Sequence, residues 1–246
     1  MTASAKQRMR LDRFLANTGF GSRKDVKEII KKGRVTVNDH IVKSPKINLD
    51  PYEDEVRVDG QPVGYQEFYY LMMNKPAGVI TATEDSRQQT VMDLLPDLYS
   101  FHKLFPLGRL DKDTEGLLIL SNDGKLAHRL LSPKRHVPKV YYALVDGEVN
   151  HEDISVFRRG IRLEEDFTTL PAELEIIQSG KPSHVKVTIY EGKYHQVKRM
   201  FQAVGKKVIY LKRIAMGNLS LDESLAPGEA RELSEEEVDC LRNSAE

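Results

Sequence analysis

Apolar and polar positions along the chain first mark out a run of short elements. Leu11, Phe14 and Leu15 recur at i, i+3, i+4 spacing, which predicts a short helix over Arg10 to Asn17 that Gly19 and Gly21 end. Ser22 then caps a second helix, with Asp25 three residues on, where a carboxylate meets the exposed N–H groups. Val26, Ile29 and Ile30 form its apolar stripe, and Gly33 ends it. Arg34 to Asn38 alternates as a strand, Asn38-Asp39 turns, and His40-Ile41-Val42 returns. Glu55 to Asp59 is another short strand, leading into a turn at Gly60, and residues 61–68 read as a linker.

Longer patterns follow. Phe68 to Met73 is unbroken apolar sequence, hence a strand buried on both faces, and Asn74 to Gly78 is a turn by composition. Val79 to Ala82 reads as extended, and Val91, Leu94 and Leu95 as a short helix before Pro96. Leu117 to Leu120 is a buried strand or the start of a buried helix. Ala127, Leu130 and Leu131 mark a helix that stops at Pro133. Val140 to Val145 is a strand whose alternation puts Tyr141 with Ala143 and Val145, and Tyr142 on the other face. His184 to Ile189 alternates as a half-buried strand. Val197, Met200, Phe201 and Val204 spell an amphipathic helix closed by Gly205, and Val208 to Leu211 a further strand. The acidic C-terminal stretch reads as a short helix with solvated charge.

Composition narrows the class. At 246 residues the chain fits one large domain or two smaller ones, each able to bury a core. Its charged fraction of 30% is that of an ordinary soluble protein, and no apolar run approaches a membrane span, so no membrane partner is expected. Met1 to Arg10 lacks the apolar centre of a secretory signal, and the lone Cys240 has no partner for a disulfide, so a cytoplasmic location is expected. The net charge of zero hides an asymmetry. Residues 1–48 hold twelve Lys and Arg against four Asp and Glu, while residues 219–246 hold two against nine. A basic N-terminal unit on a neutral chain suggests a polyanion partner at one end. Arg23, Lys24, Lys27, Lys31 and Lys32 sit mostly off the apolar stripe of the second helix, where they either form a solvated face or lie along an RNA backbone.

Candidate chemistry concentrates at Gly108-Arg109-Leu110-Asp111-Lys112-Asp113-Thr114-Glu115-Gly116, charges bracketed by two glycines just ahead of the apolar run. By composition alone the segment is an ordinary turn, though loops held by a rigid scaffold are also where catalytic groups sit. The window resembles the signature of the pseudouridine synthases, Gly-Arg-Leu-Asp followed by polar residues, a glycine and apolar residues. Lys75-Pro76-Ala77-Gly78 resembles that family's turn after a first strand. Lys139-Val140-Tyr141 resembles its second motif and Gly192 to Phe201 its third, while Arg213 to Gly217 resembles the segment with an apolar pocket residue. The N-terminal order of elements resembles the S4 RNA-binding module, with Arg10 to Leu15, Ser22-Arg23 and Gly33 to Asn38 as the matching stretches.

The resemblance implies an α+β architecture: an S4 domain over residues 1–60, the linker 61–68, and over 69–246 a catalytic domain built on a mixed, mainly antiparallel sheet flanked by helices. It implies Asp111 as catalytic carboxylate, Tyr141 as the ring that stacks on the target base, and Lys198 as the cation paired with Asp111, with Arg199 the adjacent alternative. It also implies substrate contacts at Arg109, Leu110, Arg199 and Ile214. RNA contacts are expected at Arg10, Arg13, Arg23, Lys24, Lys27 and Arg34, and a second basic segment, Lys134, Arg135 and Lys139, is either a solvated loop or a further contact. Breaking the N1–C1′ bond of uridine and rejoining the ring through C5 neither loses nor gains atoms, so no cofactor and no metal are expected. A carboxylate suits each route, whether it adds to C6, adds to C1′ or abstracts a sugar proton. The uridine must be flipped out of its stack to reach it. The S4 module and the Tyr194 to Phe201 string resemble the branch acting on small-subunit ribosomal RNA, from which the chain departs at Lys112 and Glu115. The expected partner is therefore ribosomal RNA or a partly assembled small subunit, met by a monomer. The rival expectations are a large-subunit RNA synthase and a non-catalytic S4-type assembly factor.

Overall fold

In the computed structural model, residues 8–164 and 167–244 are described. The basic stretch Met1 to Gln7 lies outside them, and with it most of the segment read above as not being a secretory signal. The chain divides into two compact units, one of residues up to Tyr69 with Pro96–Leu104, the other of Tyr70–Leu95 with Phe105 onward.

In the first unit a short strand β1 (Met9–Arg10) enters helix α1 (Leu11–Asn17), and helix α2 (Arg23–Lys31) follows. Ser22 and Asp25 close the expected capping box, the Asp25 carboxylate accepting from the Ser22 amide at 2.9 Å. Strands β2 (Val35–Val37), β3 (His40–Ile41), β4 (Asn48–Leu49), β5 (Val56–Val58) and β6 (Gln61–Pro62) complete the unit. They form a four-stranded sheet in the order β3-β2-β5-β6 and a separate β1-β4 pair. Asn38 and Asp39, both at positive φ, make the tight turn from β2 to β3, as a two-residue hairpin loop requires. Leu11, Phe14, Leu15, Val26, Ile30, Val35 and Val56 fill the core, each contributing about 1.5–3 kcal/mol by leaving water.

Residues 61–68 are not a free tether throughout. Gln61 and Pro62 pair with β5, the Val63 amide donates to the Val56 carbonyl, and Val63 and Tyr65 pack on the core. The Tyr65 ring lies 5.5 Å from Phe14 at 23°, so apolar burial draws this segment into the first unit.

The second unit is built on a nine-stranded sheet. Its members are β7 (Tyr70–Lys75), β8 (Phe105–Pro106), β9 (Glu115–Ser121), β10 (Lys139–Asp146), β13 (Glu173–Gln178), β14 (Ser183–Ile189), β15 (Lys207–Met216), β16 (Leu219–Ser220) and β17 (Ala230–Glu232). A small β11 (Arg162–Glu164) and β12 (Phe167–Thr168) pair stands apart from it. The strand order is β13-β14-β10-β15-β9-β7-β17, with β16 on β15 and β8 on β9. Only β15 and β9 run parallel, so the sheet is mixed and mainly antiparallel. The apolar run Leu117 to Leu120 is strand, not helix, and with β7 it makes a fully buried pair next to the edge strand β17.

Helices α3 (Gly124–Leu131), α4 (His151–Arg159), α5 (Gln196–Ala203) and α6 (Glu235–Asn243) complete the second unit. α4 packs along β13 and α5 along β15, and the two helices meet through Phe157 and Phe201, whose rings lie 4.9 Å apart. The acidic C-terminal stretch is not wholly solvated. Arg231 grips Glu237 through two 2.7 Å bonds and Asp222 through another, which ties α6 to β17. Among the described residues no helix is long and apolar enough to cross a membrane.

Candidate active site

The loop from Leu110 to Thr114 enters β9, and its backbone is held from below. The Thr81 hydroxyl donates to the Leu110 carbonyl at 2.8 Å, while the Leu110 amide reaches the same oxygen at 3.2 Å. The Gly78 amide donates to the Lys112 carbonyl at 2.8 Å, and the Thr114 amide donates to the Asp111 carbonyl at 3.1 Å to close the turn. Lys75, wholly buried, spreads its ammonium over three carbonyls: Pro76 at 2.9 Å, Thr114 at 2.9 Å and Lys112 at 3.3 Å. Burial pulls that ammonium down to about 8, against the opposing pull of Asp113, Glu115 and Asp111. Three donors matched to three carbonyls are what allow a cation to stay there. The turn Lys75-Pro76-Ala77-Gly78 is thus the cradle of the Asp111 loop.

Above the loop, the first turn of α5 brings the opposite charge. Lys198 Nζ donates to Asp111 Oδ2 at 3.1 Å and to Asp113 Oδ1 at 2.5 Å. Burial pushes the Lys198 ammonium down, but the Asp113 and Asp111 carboxylates outweigh it and hold it above the ordinary lysine value. The Lys198 bond in turn holds Asp113 below the usual carboxylate range. The Lys198–Asp111 bond is partly buried, and such a charge-assisted bond fixes geometry more firmly than an exposed pair such as Lys198–Asp113 does. A third group joins them. His195, at the start of α5 in the left-handed region (φ 49°), places Nε2 3.6 Å from Asp111 Oδ1.

Register places the expected base-stacking tyrosine in the same row. Tyr141 on β10 pairs with Arg213 on β15, Arg213 with Gly116 on β9, and Gly116 with Lys75 on β7. Register partners share a face of the sheet. Tyr141, Arg213, Gly116 and Lys75 therefore form one transverse row, and the ammonium at its end cradles the Asp111 loop. Gly116 is required there: with φ at 98°, a Cβ would lie 2.2 Å from the Arg213 carbonyl oxygen. A bulge falls between Val140 and Tyr141, next to the Tyr141–Arg213 pair. The Arg213 guanidinium, 2% exposed, donates from Nε to the Leu117 carbonyl at 2.8 Å. Lys139, on the same face as Tyr141, is pulled down to about 8 by burial and by Arg213.

The structure brings Asp111 and Lys198 into contact, leaves Ile214 as the extra residue of the bulge between the partners of Val140 and Tyr141, and buries Leu110, the residue before Asp111. It separates Arg199 from the pair: its guanidinium donates to the Leu163 carbonyl at 3.2 Å and reaches the Tyr194 carbonyl at 3.5 Å. Lys198, not Arg199, is therefore the cation at Asp111. Arg109 is exposed at the entry to the loop. In the first unit Arg10, Arg13, Arg23, Lys24, Lys27 and Arg34 are all exposed. Arg10 is paired with Asp12 and Arg34 with Asp59, leaving the α2 face as the main set of cations without an ion pair among the described residues. Sequence reasoning assigned nothing to Thr81, Asp113 or His195, nor to the Lys75 side chain. Proximity of Asp113 to Asp111 and of His195 to Lys198 along the chain was the only signal available for two of them. Nothing local marks Thr81.

The model of the RNA pseudouridylate synthase family matches residues 69–203, and that of the S4 domain residues 9–56. The chain is 56% identical to the uncharacterized RNA pseudouridine synthase YtzG of Bacillus subtilis over 95% of this chain and 98% of that one. It is 42% identical to the ribosomal small subunit pseudouridine synthase A of Escherichia coli over 94% of this chain and 98% of that one. A crystal structure of a pseudouridylate synthase, 37% identical, superposes with a TM-score of 0.66 over 95% of this chain and 99% of that chain.

Proposed function

Because the chain belongs to the RNA pseudouridylate synthase family, we propose that it converts a uridine of small-subunit ribosomal RNA to pseudouridine, with Asp111 as the reacting carboxylate. The observation that carries this reading is the Asp111–Lys198 contact at 3.1 Å on a loop fixed by Lys75 and Thr81. The N1–C1′ bond breaks, the uracil turns, a C5–C1′ bond forms, the C5 proton leaves to water, and N1 takes up a proton, so that no atom is gained or lost. Asp111 meets the sugar and the ring of the flipped uridine, and Lys198 supplies the opposite charge in a setting where water screens it poorly. Fixed in advance, the pair needs no reorganisation as charge develops on the sugar.

Tyr141 gives the flipped uracil an aromatic face, while Ile214 and Leu110 are its apolar walls. Arg109, exposed beside the carboxylate, contacts the RNA where the nucleotide has left its stack. Arg13, Arg23, Lys24 and Lys27 bind phosphates of the same RNA, positioning the substrate without reading its sequence. The small-subunit target rests on near full-length identity with relatives named for that substrate.

The test is tritium release from ribosomal RNA carrying 5-tritiated uridine, by wild type and by Asp111→Asn. Small-subunit RNA, free or partly assembled, is run beside large-subunit RNA. The expected result is release from small-subunit RNA by the wild type and none by the variant. Release by both proteins, or by neither, overturns the catalytic reading. Release from large-subunit RNA alone overturns the substrate.

A further inference from the structure

One exposed ring next to the carboxylate is not accounted for by the chemistry above. Tyr194 is 75% exposed, the most exposed large hydrophobic side chain among the described residues. Its ring stacks on His195, centroid to centroid 3.8 Å and 17° from parallel. The imidazole covers one face of the phenol, so exposure of this size leaves the other face in water. Through Nε2, at its edge, the same imidazole reaches Asp111 Oδ1 at 3.6 Å. Carboxylate, imidazole and phenol thus follow one another outward from the reacting group to the surface.

The segment that presents the ring is stiff. Gln196, 4% exposed, donates from its side-chain amide to Glu191 at 2.9 Å and accepts from the Lys193 amide at 3.0 Å. The Gln196 amide closes the turn on the Lys193 carbonyl at 3.1 Å, and Glu191 accepts from the Leu170 amide at 2.7 Å. His195 holds a left-handed backbone that costs a non-glycine residue free energy and persists where surroundings enforce it. A flat aromatic surface is therefore fixed in advance at the rim of the site.

Resting on the pseudouridine synthase reading, we propose that the Tyr194–His195 stack is a platform for the base of a nucleotide adjacent to the target uridine. Flipping one nucleotide removes a stacking partner from its neighbour, and an open phenol face beside Asp111 replaces it. Every base has a π-face, so the platform contributes affinity and placement without reading sequence. The role belongs to the ring, not to the hydroxyl.

The test compares Tyr194→Ala and Tyr194→Phe in the full chain, by KM and kcat for tritium release and by the salt dependence of RNA binding. Tyr194→Ala is expected to raise KM about tenfold, the size of one base–aromatic stack, with kcat within about twofold. Tyr194→Phe should match wild type. The slope of log affinity against log salt should be the same in all three, since an aromatic ring releases no counterion. An unchanged KM in Tyr194→Ala overturns the platform, as does a Tyr194→Phe variant damaged equally. Wild type releasing tritium in the same assay separates those outcomes from a failure of the functional reading itself.

Discussion

Two sets of cations divide the molecule. On α2 and at its C-cap, Arg23, Lys24, Lys27, Lys31 and Lys32 stand exposed, with no ion pair among the described residues. In the second unit, Lys198 is wedged between two carboxylates, and Lys75 is sealed under three carbonyls. The first set acts through its field, which salt screens over about 8 Å at physiological ionic strength. The second acts through contact distances that salt barely reaches. On the reading proposed above, the same side-chain type serves affinity where it is solvated and chemistry where it is desolvated. The contrast lies in the surroundings, not in the residue.

The sharpest way to break that comparison is Lys198→Met. Single-turnover tritium release should fall by about a hundredfold to a thousandfold, the cost typical of losing one preorganised electrostatic partner, while RNA affinity stays within about twofold. Lys198→Arg should recover part of the rate. Lost affinity with an intact rate would make Lys198 another α2-type cation.

Next in size is Lys75→Met, which leaves the Lys112 and Thr114 carbonyls without their donor. A loosened Asp111 loop should lower kcat about tenfold with KM unchanged, because small displacements of a reacting group are costly. A change confined to KM would contradict the cradle. Third comes the double reversal Arg23→Glu with Lys27→Glu. RNA affinity at low salt should drop about tenfold, and the log–log salt slope should shrink by roughly one to two, at ~0.7–0.9 per phosphate contact. The rate at saturating RNA should hold.

The smallest effect concerns stability against pH. In the folded chain Lys75 gives up its proton near pH 8, while the unfolded chain keeps it to 10.5. Between those values the unfolded state binds more protons, so stability should rise with pH, by at most about 1.4 kcal/mol per unit. The gain is complete above the unfolded value and is lost as pH falls through 8. Denaturant titrations of wild type and Lys75→Met across this window check it, since the slope should be smaller in the variant, where only Lys139, also pulled down to about 8, still contributes in this way.

Much of this division was legible in sequence. The off-stripe lysines of α2 follow from a 3.6-residue period and one capping serine. Asp111 and Lys198 stood out only through their resemblance to the family's motifs, since by composition the first lies in an ordinary turn and the second is surface charge. The role of Lys75 was not legible, because Asn74 to Gly78 reads as a turn by composition and a lysine in a turn reads as solvated. Its partners at Lys112 and Thr114 lie 37 and 39 residues further on. Residues 61–65 read as linker because two apolar side chains between glycines carry no periodicity, and only the core they meet gives them a place. The stretch from α4 through β13 passed without assignment. α4 turns two large apolar side chains, Ile154 and Phe157, and β13 breaks its alternation at a register shift between Ile176 and Gln178.

The division between binding charge and reacting charge is tested most directly by two readings on one protein, Asp111→Asn. Its RNA affinity and salt slope should match those of wild type while tritium release at saturating RNA disappears. Release that persists, or affinity that collapses along with the rate, would contradict it.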